Sequence, residues 1–129
     1  MEMKRFGDRR VLVVDDEPSV RSLVERFLDG RCTVIQASDG GEAINIARSQ
    51  KPDVILMDIF LPKMDGYAAC HIIKKDEVTR EVPIVMLTAV GYELNKMFAK
   101  ELGADGYITK PFSLRVLLDA IDRFLERPE

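Results

Sequence analysis

The chain has 129 residues, 47% of them hydrophobic and 32% charged, which fits one domain that needs no disulfide or metal staple and leaves no room for a disordered tail or a separate output module. Nineteen basic against 22 acidic side chains give a net charge of −3, so the basic excess of a nucleic-acid binder is missing and direct DNA contact is disfavoured. No apolar run approaches the roughly 18 residues that cross a bilayer, and Met1 to Arg10 mixes charges where a signal peptide has an apolar core.

Cys32, Cys70 and the single His71 form no metal-ligand spacing, so the cysteines read as small buried or half-buried side chains in a reducing, cytoplasmic setting. Val11–Val14 is a short β-branched run that ends at Asp15-Asp16, and Val20, Leu23, Val24, Phe27 and Leu28 follow at helical spacing until Gly30. Thr33–Ile35 is a weaker, more polar strand suited to an edge. Asp39 with Glu42 reads as a capping-box variant opening a helix with Ala43, Ile46 and Ala47. Val54–Met57 is a third strand ending at Asp58, followed by the loop Leu61–Gly66 and a helical face of Gly66, Ala69, Cys70 and Ile73. Lys74 to Val82 is polar and reads as helix end plus loop, and Pro83–Leu87 is a fourth strand ending at Thr88. A fourth helix is predicted over about Tyr92 to Leu102 with a poor apolar stripe, closed by Gly103. Asp105–Thr109 is strand five, Lys110-Pro111 follows, and Leu114, Leu117, Leu118, Ile121 and Leu125 give the last helix its face. Five alternating βα units imply a doubly wound parallel sheet covered by helices on both faces.

In such a sheet, ligands bind beyond the carboxyl ends of the strands. There the chain places Asp15, Asp16, Asp58, Thr88 and Lys110. Three crowded carboxylates raise one another's pKa, and a divalent cation resolves the repulsion. An all-oxygen set with few protein donors suits Mg²⁺ (or Mn²⁺) retaining several waters. Acids, a lysine and a hydroxyl together point to phosphoryl transfer, which needs positioning and charge neutralisation, with a carboxylate able to serve as nucleophile.

Five motifs, Val11–Glu17, Val54–Asp58, Leu61–Gly66, Leu87-Thr88-Ala89 and Tyr107–Phe112, resemble those of the response regulator receiver domain of two-component signalling, of the chemotaxis-regulator type, over about residues 9–126. The resemblance implies a flavodoxin-like (βα)5 domain spanning 1–129 with strand order 2-1-3-4-5. It implies that Asp58 is the phosphoacceptor and that Asp16, Asp58 and the Phe60 carbonyl hold Mg²⁺ directly, with Asp15 acting through a water. Thr88 and Lys110 then contact the phosphoryl group, Lys110-Pro111 is cis, and Tyr107 is an aromatic switch residue coupled to Thr88. The implied donor is a sensor histidine kinase or a histidine phosphotransfer protein. The only chemistry expected of such a domain is its own phosphorylation and slow dephosphorylation.

Blander readings stand beside these. Asp15-Asp16 suits a helix N-cap pair, Tyr107 suits a half-buried strand aromatic, and His71 suits an exposed helix position. Phe60 and Val90, two residues after Asp58 and Thr88, are apolar where some family members are polar, so neither orients an attacking water and the phosphorylated state is expected to be long-lived. The expected output surface is predicted helix four, strand five and the last helix. With the chain ending at Glu129, the expected targets are a downstream protein or an effector domain missing from this sequence. A phosphorylation-dependent dimer is also compatible, and no membrane contact is expected. A flavin mononucleotide binder of the same fold needs a phosphate loop where Asp15-Asp16-Glu17-Pro18 is acidic. An aspartate-nucleophile phosphohydrolase usually adds a cap domain, and an interaction module that has lost its chemistry would not need the acidic set.

Overall fold

The continuous apolar runs Val11–Val14, Val54–Met57 and Ile84–Leu87 hide a period of two, because successive side chains of a strand point to opposite faces. In the computed structural model, which describes residues 5–89, 97 and 100–126, β1 (Arg10–Val14) sends Leu12 and Val14 to one core and Val11 and Val13 to another. The two cores lie on the two faces of one parallel sheet. It is built from β1, β2 (Thr33–Ala37), β3 (Val54–Asp58), β4 (Ile84–Ala89) and β5 (Gly106–Lys110) in the order β2-β1-β3-β4-β5. Order and direction are those expected from the sequence.

Helices α2 (Gly40–Gln50) and α3 (Gly66–Lys75) cover the face of Leu12, Val14, Ile55, Met57, Ile84 and Met86 with Ala43, Ala47, Ala69, Cys70 and Ile73. Helices α1 (Pro18–Leu28) and α4 (Leu114–Leu125) cover the other with Val24, Leu28, Leu117, Ile121 and Leu125. Burying each such aliphatic side chain contributes roughly 1.5–3 kcal/mol. β3, buried at all five positions and feeding both cores, is therefore the strand least free to shift. β2 is the edge strand that its polarity suggests.

The helix starts are chemically marked. Asp39, Asp65 and Ser113 each accept a hydrogen bond from the backbone N–H three residues on, a capping arrangement that satisfies a donor the helix leaves unpaired. The sequence marked only the first. Pro18 opens α1, where its missing N–H costs nothing, and Gly30 takes φ +75° just beyond the helix end. Packing begins before β1: Phe6 is buried in the α1/α4 core, its N–H donates to the Arg31 carbonyl, and Arg9 Nε donates to the Leu125 carbonyl at 2.9 Å. Most of the predicted helix Tyr92 to Leu102, and Val90 before it, lie outside the described residues, although Met97, Lys100 and Glu101 are helical.

Candidate functional site

The ladder aligns the strand ends that carry polar side chains. Val14 pairs with Met57, Asp58 with Leu87, Thr88 with Thr109, and Ala89 with Lys110. One residue past β1, Asp15 is fully buried. Its N–H donates to the Ala37 carbonyl, Oδ1 accepts from the Glu17 N–H at 3.0 Å, and Oδ2 accepts from Lys110 Nζ at 2.7 Å. The same ammonium lies 3.3 Å from Oδ1 of Asp58, itself only 6% exposed. Lys110 thus bridges two buried carboxylates from two other strands.

That crowding has an electrostatic signature. Burial, then the Asp15 charge, pushes the Asp58 carboxyl from 3.8 up to about 6, against the pull of Lys110 and of the Phe60 backbone N–H that bonds it. The sequence points to mutual repulsion among three acids. Burial is instead the larger cause, and of the acids only Asp15 contributes. For Lys110, burial works against the charge, but the Asp15 hydrogen bond and the two carboxylates outweigh it, so its pKa is raised.

The other predicted residues are placed as follows. Asp16 is exposed, and its carboxylate lies within 4.8 Å of those of Asp15 and Glu17. Asp58 is joined to this acidic trio through Lys110. The reading of Asp15-Asp16 as an N-cap pair is corrected, because Glu17 holds the N-cap position of α1 without a side-chain bond, while Asp15 turns back onto the Glu17 N–H. Thr88 is buried at the end of β4, and its hydroxyl makes a long 3.5 Å bond to the Ala89 carbonyl. Tyr107, half-buried and paired with Met86, packs against the α2/α3 core. Phe60 is 59% exposed, and the Lys110–Pro111 bond is cis. His71 is exposed, while Met57 and Met86 are core.

Three contributors have no site role assigned from the sequence, although Glu17 and Gly66 lie within its motifs. Gly66 donates its N–H to the Ile59 carbonyl, and a Cβ there would overlap the Asp58 carbonyl, so the first turn of α3 seats directly against the backbone of Asp58. Arg21 on α1 donates to the Asp15 carbonyl at 2.6 Å and to Gln36 of β2 at 3.1 Å. Glu17 completes the acidic trio. The donor set is all carboxylate oxygen, partly buried and short of counter-charge, and it fits a hard divalent cation better than a thiophilic one.

Comparison with known proteins gives a consistent picture. A profile of the response regulator receiver domain matches residues 11–122. The chain is 45% identical over 119 residues to a probable transcriptional regulator, ycf27, of Guillardia theta, covering 92% of this chain and 46% of that protein. It is 42% identical over 123 residues to the alkaline phosphatase synthesis transcriptional regulatory protein PhoP of Bacillus subtilis, covering 95% and 50%. The chain therefore spans about half the length of these relatives. Among solved structures, the Vibrio cholerae chemotaxis protein CheY4 superposes with TM-score 0.86 at 34% identity, over 92% of this chain and all 100% of that one. The receiver domain of sensor histidine kinase PA1611 from Pseudomonas aeruginosa, solved with magnesium coordinated in its active-site cleft, gives TM-score 0.84 at 32% identity, over 92% and 98%.

Proposed function

The chain belongs to the response regulator receiver family of two-component signalling, and on that premise we propose that it accepts a phosphoryl group onto Asp58 in the presence of Mg²⁺. The observation that carries this is the single ammonium of Lys110 set 2.7 Å from Asp15 and 3.3 Å from Asp58 at the carboxyl edge of the sheet. Asp58 is the proposed acceptor because it ends the central strand β3 beside Lys110, which joins it to the acidic trio. An oxygen of Asp58 bonds to phosphorus as the phosphorus–nitrogen bond of a partner's phosphohistidine breaks, and the imidazole leaves with that electron pair. Lys110 then faces the new phosphoryl oxygens as a charge-assisted donor. The Thr88 hydroxyl, whose one bond among the described residues is 3.5 Å long, would turn toward them, and Tyr107 on the neighbouring strand would follow.

Asp16 and Asp58, with the Phe60 carbonyl, would hold the cation directly. Asp15 would act through a water, since both of its oxygens already accept protein donors. When bound, Mg²⁺ supplies neutralisation of the phosphoryl charge. The relatives are named as regulators, so the chemistry proposed is confined to this domain's own phosphorylation and slow dephosphorylation. Their length suggests an output through an effector domain or a partner protein contacted by β5, α4 and the predicted helix before β5, with the acidic receiver, of pI about 5.3, not itself touching nucleic acid.

Incubation with Mg²⁺ and acetyl phosphate tests the reading by mass. One added phosphoryl group is expected in the native chain and none in Asp58→Ala; steady release of free phosphate would instead mark a hydrolase. A Phe60→Asn, Val90→Glu double variant should lose its phosphoryl group several-fold faster than the native chain, and an unchanged decay rate would refute slow hydrolysis by apolar shielding.

A further inference from the structure

The β1–α1 turn presents Asp15 and Asp16, yet the groups that hold this turn in shape come from elsewhere. Asp15 is fixed at four atoms: its N–H by the Ala37 carbonyl, its carbonyl by Arg21 Nη1 at 2.6 Å, and its two carboxylate oxygens by the Glu17 N–H and Lys110. Two cations therefore act on one residue in different ways. Lys110 takes a carboxylate oxygen. Arg21 takes the main-chain carbonyl and leaves the acidic oxygens to other partners.

Arg21 does not hold that pose by itself. Arg21 and Glu25 lie four apart on α1, a spacing at which opposite charges usually pair directly. Here Gln36 of β2 is inserted between them, its Oε1 accepting from Arg21 Nε at 3.1 Å and its Nε2 donating to Glu25 Oε2 at 2.7 Å. The order of charges orients the amide, and the amide draws the guanidinium toward the sheet, where its second nitrogen meets Asp15. The backbone N–H of Arg21 also bonds the Glu17 carbonyl at 3.3 Å. The side chain therefore reaches back across the first turn of its own helix and closes the loop that contains Asp16.

We propose that Arg21, aligned by Gln36 and Glu25, is a positioning residue that sets the pitch of the Asp15–Glu17 turn and so holds the Asp16 carboxylate ready for a divalent cation. This rests on the reading of Asp15, Asp16 and Asp58 as a cation site. Groups that orient metal ligands without touching the metal commonly change affinity by about 10–100-fold when removed, and a guanidinium gripping a backbone carbonyl at the base of two acidic residues is placed to act in this way.

The test is Mg²⁺ binding by calorimetry on the unphosphorylated chain, beside thermal unfolding without metal. Arg21→Met keeps the apolar stem and removes the donors, and it should weaken Mg²⁺ about tenfold. Arg21→Lys, able to reach one acceptor but not both, should fall between it and the native chain. Gln36→Leu leaves Arg21 in place without its guide and should also weaken binding, which keeps the proposal testable if Arg21→Met fails to fold. Arg48→Met removes an arginine paired with Asp76 between α2 and α3, away from the turn, and should bind Mg²⁺ as the native chain does. Native affinity in Arg21→Met and Gln36→Leu, or an equal loss in Arg48→Met, overturns the role of Arg21. A native chain that binds no Mg²⁺ overturns the cation-site reading and the role of Arg21 with it.

Discussion

The two ends of the sheet treat charge in opposite ways, around exposed Asp105 at one end and around buried Asp15 and Asp58 at the other. At the amino ends of β4 and β5, Asp105 is matched to its surroundings: Oδ2 accepts from Lys74 Nζ and from the Ile84 N–H, each at 2.8 Å, and its carbonyl accepts from Arg123. Lys74 spends its other donors on the Val82 and Arg80 carbonyls. One acid meets one lysine, and the backbone completes both. At the carboxyl ends, one lysine serves two acids, and Asp58 is left with a carboxyl raised to about 6. Perturbed groups gather where a ligand is to be met, so under the proposed function the difference separates an end that holds the strands together from an end that would wait for a partner.

The sharpest way to break this contrast is to strain the waiting end. Gly66→Ala places a Cβ against the Asp58 carbonyl, and overpacking at a backbone contact should cost up to about 3 kcal/mol in urea unfolding; a loss smaller than that of the next variant would mean α3 yields easily. Asp105→Ala removes the matched acid, leaving the Ile84 N–H without its partner and Lys74 with only the Val82 and Arg80 carbonyls, with an expected loss of about 1 kcal/mol. Equal stability to the native chain would show that end to be ornamental.

Asp58→Asn should move stability the other way. The folded carboxyl holds its proton more tightly than an ordinary one, about 6 against 3.8, so the fold is favoured below pH 4 and loses stability as pH climbs from about 4 through about 6. Removing the charge should therefore stabilise the metal-free chain by about 1–2 kcal/mol at pH 7.5, a figure discounted for residual solvent screening, and the gain should vanish below pH 4. A native chain whose unfolding midpoint is flat from pH 4 to 7 would remove the contrast.

Much of this was legible in the sequence, because strands end where apolar runs meet Asp15, Asp58 and Thr88, and parallel order brings those ends to one edge. The edge character of β2 showed in its polarity. What stayed hidden depends on main-chain partners, which leave no pattern in side-chain type. Arg21 reads as one charge on a helix surface, and nothing in its neighbours says that it reaches the Asp15 carbonyl. Asp105 reads as a strand start, and Phe6 as a stray aromatic in a charged segment, although it is buried against α1 and α4. The cause of the Asp58 shift was half legible: repulsion follows from residue type, whereas the depth of burial follows from packing.

Gly66 has one more consequence. With the Asp58 carbonyl resting against α3 and no room for even a methyl group between them, the backbone of Asp58 has no slack on that side. Under the proposed phosphorylation, a phosphoryl group arriving at its side chain would meet a stiff wall behind and, ahead, Thr88 with one long bond among the described residues and a β5 that is only half covered. The domain would then work as a one-way lever, with the missing Cβ of Gly66 setting which arm moves.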